Sequence, residues 1–412
     1  MVRSPPAKRP EHAHLERLGL RLFTAHFTLH QAASALAGAF IGAYLLRSGL
    51  TLPAALMVYA GLYAGRVGMR VAVLPLVRRL GYRGALAAGA ALGVLQFPPL
   101  LLADNHLWLA VWVATLSLAE ATYWPVFHAT AVVLGEEGKR GREIAERQVI
   151  GLGVSVVGPL LGGWLLGTFG PAVDFGVAAS LAVLSTVPLA LLREVPAGPV
   201  PTARESLRGA DPIGTLAFAA DGWICAGLGI AWPMVLFQSL GAHYEALGAV
   251  AAASAVVGAA GGVLCGRCID RGGRERIVPW AALALGAGIA LRAGEAWAPV
   301  GAAAIHATGA AIGAFWGPVL MSVLYDRARR SGSAYRYQLA AETGWDAGAL
   351  LGCLAAGATA WATGLPSLAV LPALLGVSVV FACVRAAGDE QAAARAQAEP
   401  GLGLGAAAAP AV

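Results

Sequence analysis

Residues 266–274 read GRCIDRGGR, a short basic stretch between two long apolar runs. The run before it covers about residues 244–268, and the run after it covers about residues 277–294. Each run is close to the roughly 20 residues that a helix needs to cross a bilayer. Two apolar helices joined by a short basic loop are typical of a membrane protein with several spans.

The same pattern recurs along most of the chain. Of its 412 residues, 58% are hydrophobic and only 13% are charged, about half the charged fraction of a soluble domain. Gly, Pro and charged residues punctuate the sequence into twelve predicted helices. These lie near 20–46, 52–77, 84–102, 106–134, 144–169, 172–193, 212–238, 244–268, 277–294, 298–327, 334–362 and 366–386.

The basic residues predict how these helices are oriented. Of the 29 Lys and Arg residues, 25 lie on one side of a twelve-span arrangement, two lie on the other side and two lie within a span. Since basic loops stay in the cytoplasm, we expect both termini to be cytoplasmic, in a plasma membrane of the bacterial inner type. The net charge of +6 therefore indicates orientation signals and contact with membrane lipids, not a nucleic-acid surface.

The two halves of the chain resemble each other. YWPVFHATAVVL at 123–134 parallels FWGPVLMSVLY at 315–325, and GPLLGG at 158–163 parallels GALLGC at 348–353. A parallel repeat of six helices is known from secondary transporters. The predicted organisation is a cytoplasmic tail (1–19), a six-helix bundle (20–193), a cytoplasmic central loop (194–211), a second six-helix bundle (212–386) and a disordered tail (387–412).

Two motifs give the chain a resemblance to a known family. In the loop after the eighth helix, the G-x-x-x-D-R-x-G-R motif of the major facilitator superfamily is matched by Gly266, Asp270, Arg271, Gly273 and Arg274. The fifth helix is similar to the G-P-x-x-G-G motif of that superfamily's exporters, through Gly158, Pro159, Gly162 and Gly163. The loop after the second helix departs from the family pattern, with Leu74 in place of Gly and Arg78 in place of Asp.

The resemblance implies an all-α membrane protein with twelve transmembrane helices in two pseudo-symmetric bundles. It also implies secondary transport by alternating access, with helices 1, 4, 7 and 10 around a central cavity and helices 2 and 11 facing each other between the bundles. At Arg78, the cytoplasmic latch that an aspartate makes in the family is expected to be lost, because a helix N-terminus repels a cation.

Charged residues inside spans are costly and mark functional candidates. Arg66 and Arg70 on helix 2 are four residues apart, as are Glu342 and Asp346 on helix 11. Depth within the spans predicts a two-rung charge ladder, with Arg66 opposite Asp346 and Arg70 opposite Glu342. The alternative is that the arginines extend toward the cytoplasm and the acids line the cavity separately.

A second set of polar and aromatic residues is expected to line the substrate cavity. It consists of His26, His30, Gln31, Glu120, Tyr123, Trp124, His128, Asp221, Trp223, Phe315 and Trp316. Glu120 and Asp221 are the predicted proton carriers, because neither has an obvious arginine partner in the sequence. Trp124 and Trp316 could equally be packing residues beside prolines, and packing is the favoured interpretation of His306.

These features favour a proton-coupled transporter of a small organic solute, with the helix-5 motif favouring efflux. The alternatives are an importer of a small anionic or zwitterionic metabolite and a non-transporting assembly factor or sensor. An enzyme is not expected, because no nucleophile–base pair or metal-ligand spacing emerges. No cofactor is expected either, since Cys265 and Cys268 lack a second ligand pair and the G-x-x-x-x-G-K-[ST] motif is absent. The predicted partners are the solute and protons, and the protein is expected to be a monomer.

The topology can be tested by labelling. Tags at either terminus and near Pro201 should be cytoplasmic, whereas a cysteine at Asn105 should react with an impermeant thiol reagent applied from outside. A cysteine at Pro201 is the matched control, since it should react only after the membrane is opened. Reaction of the Asn105 cysteine from the cytoplasmic side only would overturn the twelve-span assignment.

Overall fold

The computed structural model describes residues 10–134, 141–195, 197–207, 211–270, 274–294 and 298–398. Within these, side chains are described except in 10–17, 141–149, 207, 263–270, 274–277, 315–319, 322 and 391–398. The α-helices are α1 (Pro10–Leu36), α2 (Ile41–Arg47), α3 (Leu52–Ala72), α4 (Leu74–Val94), α5 (Phe97–Leu101), α6 (His106–Leu134), α7 (Gly141–Thr168), α8 (Pro171–Leu191), α9 (Ala203–Leu207), α10 (Pro212–Cys225), α11 (Trp232–Ser239), α12 (Tyr244–Asp270), α13 (Arg274–Arg292), α14 (Pro299–Arg330), α15 (Ala334–Thr363) and α16 (Ala373–Ala398).

Several spans are built from more than one helix. The first joins α1 to α2 through a 3₁₀ turn at Gly38–Phe40, and the seventh joins α10 to α11 through a π-helical turn at Ala226–Ala231. Inside α4, Gly81 has φ +70°, which only glycine adopts readily, so the chain bends there. The helix resumes with Glu194 accepting hydrogen bonds from the N–H groups of Tyr82 and Arg83, a favourable place for an anion.

The helix pairs α1–α2, α4–α5 and α10–α11 each form one span, and α9 lies in the central loop. The spans form two six-helix bundles that meet mainly along two pairs of helices. Within the first bundle, α1 packs on α8, and α6 packs on α3 and α4; within the second, α10 packs on α15 and α16, and α12 packs on α14. Between the bundles, α3 packs on α15 and α7 packs on α12. Residues that α3 and α15 carry at this seam are therefore enclosed by protein.

The apolar surface identifies an integral membrane protein. Among the described residues, seven helical segments are long and apolar enough to cross a membrane by length and composition alone. The helices α3 and α15 are not among the seven. Each carries a pair of charged residues, which lowers its hydropathy, and those charges lie inside the protein.

Glycines set the closest approaches between helices. Gly348 of α15 lies against the carbonyl of Ala219 in α10, and Gly222 of α10 lies against the carbonyl of Trp345. Small residues allow this kind of backbone contact within a membrane. The helix-5 motif is used in the same way: Gly158 and Gly162 face α1, and Gly163 faces the start of α12.

The structure describes the loop after the second span more fully than the equivalent loop of the second bundle. In the second bundle, Arg271 and Gly273 lie outside the described residues, as do the side chains of Asp270 and Arg274, and Gly266 lies in α12. In the first bundle, Arg78 donates a hydrogen bond of 2.6 Å to the carbonyl of Pro201 in the central loop.

A polar contact fixes the start of the seventh span. Asp211 accepts a hydrogen bond of 3.0 Å from the N–H of Gly214 and is paired with Arg327 at the end of α14. Burial alone would raise the pKa of Asp211, but these bonds and the charge of Arg327 hold it below its ordinary value. The carboxylate is therefore charged at neutral pH and anchors α10 to α14.

The glycine contact between α10 and α15 generates a stability prediction. Gly348→Ala should lower the melting temperature in detergent, because its new methyl group would overlap the Ala219 carbonyl and overpacking costs about 1–3 kcal/mol. Gly357→Ala on the same helix is the matched control, since its nearest neighbour would lie at 3.5 Å. Equal stability of the two variants would contradict close packing at Gly348.

Candidate functional site

Four charged residues meet at the seam between α3 and α15. Arg66 Nε lies 2.7 Å from Asp346 Oδ1, and Arg70 Nη2 lies 3.2 Å from Glu342 Oε2. At most 3% of the surface of any of the four is exposed. Because each helix contributes an i, i+4 pair, both pairs point into the same interface.

The two pairs are not separate rungs. Arg70 also contacts Asp346, with its Nη2 at 2.5 Å and its Nε at 3.0 Å from Oδ2, and Arg66 Nη2 lies 3.8 Å from Glu342. Expecting one acid for each arginine was too simple, because a guanidinium presents several donors and can contact both acids at once. The result is one cross-linked cluster.

A third acid joins the cluster from α6. Glu120 Oε2 lies 2.6 Å from Arg66 Nη1, so the expectation that Glu120 has no arginine partner is wrong. The reason is a close helix approach one turn away: Gly65 of α3 faces Ser117 of α6, whose hydroxyl donates to the carbonyl of Leu62. Unlike the other four charges, Glu120 is accessible, with 31% of its side chain exposed.

The cluster contains one more acid than it contains arginines. Two guanidiniums face three carboxylates, and the described contacts add one neutral acceptor, the carbonyl of Ala121, which receives a bond from Arg70. The aromatic rings of Tyr63 and Trp345 lie 5.3 and 5.4 Å from the carbon of the Arg66 guanidinium and stabilise its charge. With all three acids ionised, the cluster would carry one excess negative charge, and a single bound proton would remove it.

His128 connects the cluster to the second bundle. Its Nε2 lies 3.4 Å from Glu342 Oε1, and its Nδ1 lies 2.8 Å from the hydroxyl of Tyr325 in α14. Its ring is stacked on Trp124, with the ring centres 5.6 Å apart. His128 and Trp124 thus share one face of α6, next to the charges.

Cavities lined by described residues lie around this region. One of about 610 Å³ lies between α1, α6 and α7 and includes Gln31. A second, of about 290 Å³, lies inside the first bundle and includes His30 and Glu120. A third, of about 230 Å³, lies between the bundles beside the π-helical turn and includes His306 and Tyr59.

Comparison with known proteins identifies the architecture. No family model matches the sequence, and no curated protein matches it. The structure is similar to that of a major facilitator superfamily transporter, FucP, in the outward conformation, with a TM-score of 0.63 and 16% sequence identity. The match covers 89% of this chain and 98% of that chain. A variant of the E. coli fucose:proton symporter FucP matches with a TM-score of 0.61, at the same identity and coverage.

The chain has the major facilitator fold. At this level of identity the similarity concerns the fold and names no solute. In this fold the seam between α3 and α15 joins the two bundles, so the charge cluster lies at the contact between the bundles.

Several predicted cavity residues are placed elsewhere. His26 is fully buried. Its Nδ1 donates a hydrogen bond of 2.8 Å to the carbonyl of Ser185, and its Nε2 accepts one of 3.0 Å from the hydroxyl of Tyr123. Tyr123 is buried as well. Expecting these two residues in the cavity was wrong, because each satisfies the other between α1, α6 and α8.

In the second bundle, Trp223 was also predicted to line the cavity and is also held elsewhere. The indole N–H of Trp223 donates 2.6 Å to the carbonyl of Pro372, which holds the side chain within that bundle. Asp221 accepts a bond of 3.0 Å from the indole of Trp345. Phe315 and Trp316 lie on α14, and their side chains are outside the described part of the chain.

Four functional candidates had not been singled out from the sequence. Tyr63 and Trp345 flank Arg66, and Gln96 and Trp112 line the cavity inside the first bundle. A signal existed for Trp345 alone, since it is adjacent in sequence to Asp346. The others are ordinary residues of apolar helices until the helices are packed.

The cluster predicts strong energetic coupling between its members. Arg70→Ala and Asp346→Ala should each cost up to about 3–5 kcal/mol in stability, because each removes one of the two oppositely charged partners of a buried group. The double variant should lose clearly less than the sum. Thermal unfolding in detergent measures each loss.

Double-mutant comparisons of two other charged pairs show how large the coupling should be. Arg66→Ala with Glu342→Ala should couple more weakly, because their atoms are 3.8 Å apart. The exposed pair Arg329 and Asp326, at 2.8 Å, is the matched control and should couple by about 1 kcal/mol or less. Strictly additive losses in the buried pairs would mean that the charges act independently.

Proposed function

We propose that this protein is a secondary transporter that moves a small organic solute by alternating access and is coupled to protons. The observation that carries the proposal is the buried cluster between the bundles, in which two arginines face three acids. Ionisable groups this deep in a membrane protein are costly, and their usual role is in an ion or solute pathway.

The excess negative charge supports proton coupling. Neutralising one carboxylate gives the cluster equal numbers of positive and negative charges, which a low-dielectric site favours. Glu120 is the best-placed acceptor, because it is the accessible member and its partner Arg66 has two other acids within 3.8 Å. Asp221, bonded to Trp345 next to Asp346, is a second candidate.

The position of the cluster supports a link between protonation and conformation. The contacts of Arg66 and Arg70 with α15 join the two bundles, whereas the contact of Arg66 with Glu120 lies within the first bundle. A proton on Glu120 removes the attraction that holds Arg66 toward α6. The balance between contacts within and between bundles then changes, which is what a coupled two-state element requires.

The solute and the direction of transport are proposed from similarity to other proteins. The fold is shared with a fucose:proton symporter, which makes fucose the first solute to test and favours uptake. The helix-5 motif favours efflux by its resemblance to exporters, although its glycines also serve close packing on α1 and α12. Uptake of a small anionic or zwitterionic metabolite, bound by Arg66 and Arg70 after the bundles separate, is the alternative.

Transport in proteoliposomes tests the proposal. With an imposed pH gradient, the protein should accumulate a labelled solute from a panel that begins with fucose, and a protonophore should abolish the accumulation. Glu120→Gln should abolish accumulation but keep downhill exchange, because the amide preserves shape and cannot carry a proton. Asp326→Asn, at an exposed acid that is paired with Arg329, is the control and should transport normally.

Two other outcomes are informative. Accumulation by Glu120→Gln would place the proton carrier elsewhere, and Asp221→Asn would be the next variant to test. The absence of gradient-driven flux for every solute would contradict a transporter and favour a sensor or assembly factor with this fold.

A further inference from the structure

The cavity inside the first bundle contains polar atoms that no other group satisfies. Its volume is about 290 Å³. Three buried atoms on its lining residues have no hydrogen-bond partner in the described part of the chain: Trp112 Nε1, Gln96 Oε1 and His30 Nδ1. Trp112 is fully buried, so its indole N–H has no other access to a partner. Buried polar groups are almost always hydrogen-bonded, which indicates that this cavity is occupied.

The three groups require an occupant that both donates and accepts hydrogen bonds. The indole N–H can only donate, and Gln96 Oε1 can only accept. Gln96 cannot turn its amide to help, because its Nε2 already donates 2.9 Å to the carbonyl of Gly93. Water meets both requirements, and a cavity of this volume holds roughly ten molecules at the density of the liquid.

The cavity leads to the charge cluster. Trp112 and Glu120 are on the same helix, eight residues apart, which is about 12 Å along its axis. Gln96 lies between α4 and α5, near the end of the bundle that the basic residues assign to the outside. Glu120, about halfway along α6, lines the cavity and contacts Arg66. The polar groups are therefore spread along a path from the outer end of the bundle to the accessible carboxylate.

The walls of the cavity all belong to one bundle. They come from α1, α3, α4, α6 and α8 and the short elements α2 and α5, and none of the described residues of the second half lines the cavity. Its shape therefore does not depend on how the bundles are arranged. A solute held inside one bundle would not be exposed alternately to the two sides. Water, in contrast, can reach Glu120 there in every access state.

We propose that this cavity is a water-filled chamber that carries protons between the outer aqueous phase and the carboxylate of Glu120, separately from the path of the solute. A proton arrives as hydronium, binds a Glu120 oxygen and leaves water behind; coupling requires that Glu120 later releases the proton to water on the cytoplasmic side, outside this chamber. Trp112, Gln96 and His30 hold the water in place and are positioning residues. The proposal rests on the proposed proton coupling.

Cysteine labelling tests the chamber without requiring transport. In a protein whose five native cysteines are replaced, Gly93→Cys points into the chamber and has free space around its Cβ. Gly61→Cys has equal space and is the matched control. It lies on the exposed surface of α3, a membrane-spanning helix, so its thiol would face lipid and not water. A small charged thiosulfonate applied from outside should label Gly93→Cys about tenfold faster or more, because only a hydrated thiol ionises readily.

Removing the polar lining should slow both labelling and proton transfer. Gln96→Leu and Trp112→Phe keep the shape of their residues but lose the groups that bind water. After a pH jump on the purified protein, the infrared carboxyl band that Glu120→Gln eliminates should appear several-fold more slowly in these variants. Trp108→Phe, at a partly exposed tryptophan one turn away on α6, should leave the rate unchanged.

The outcomes separate this proposal from the proposed function. Equal labelling of Gly93→Cys and Gly61→Cys, or an unchanged carboxyl rate in folded Gln96→Leu, would overturn the chamber even if transport is found. Labelling of Gly93→Cys that fucose or another transported solute blocks would assign the cavity to the solute and would also overturn the chamber. Rapid labelling in a protein without any gradient-driven flux would contradict the transporter and leave the chamber in place.

Discussion

Two guanidiniums buried between two helical bundles constrain the rest of this structure. A charge in the membrane interior must be paired, and a cost of several kcal/mol for each ion falls on any arrangement that leaves one alone. Arg66 and Arg70 reach three acids on two other helices, so α3, α6 and α15 are held at one relative height. The other helices of both bundles must therefore pack around α3, α6 and α15 in this fixed arrangement.

Close backbone contacts make this arrangement possible. Gly65 allows α6 to approach α3, and Gly222 and Gly348 allow α10 to approach α15. The first contact brings Glu120 to Arg66, and the second places Trp345 where it can bond Asp221 and lie over Arg66. The electrostatic site therefore depends on residues that have no side chain of their own.

Much of the fold was predictable from the sequence because a membrane-spanning helix is recognisable from its own residues. The bounds of α6, predicted at 106–134, match the observed His106–Leu134, since apolar length and flanking polar residues decide where a span ends. The facing of Arg66 and Arg70 toward Glu342 and Asp346 was also expected. The family resemblance implied that helices 2 and 11 face each other, and depth and i, i+4 spacing, which are properties of single helices, gave the register.

What failed depended on contacts between helices. The partner of Glu120 is set by the Gly65–Ser117 approach, and the burial of His26 is set by Ser185, which is 159 residues away. The unsatisfied groups of Gln96 and Trp112 appear only when five spans enclose one cavity. No local pattern records such relationships, so a single sequence could not predict them.

The two arginines have different surroundings, and this difference suggests different roles. Arg70 has its donors directed to Asp346, Glu342 and the carbonyl of Ala121 and is sealed from solvent. Arg66 forms an ion pair with an enclosed acid of the second bundle, Asp346, and donates a hydrogen bond to an accessible acid of its own bundle, Glu120. Only Arg66 therefore responds to a proton that arrives at Glu120. Once Glu120 is neutral, Arg66 has its strongest remaining attraction toward Asp346 and Glu342, so protonation in the proposed mechanism strengthens the contact between the bundles.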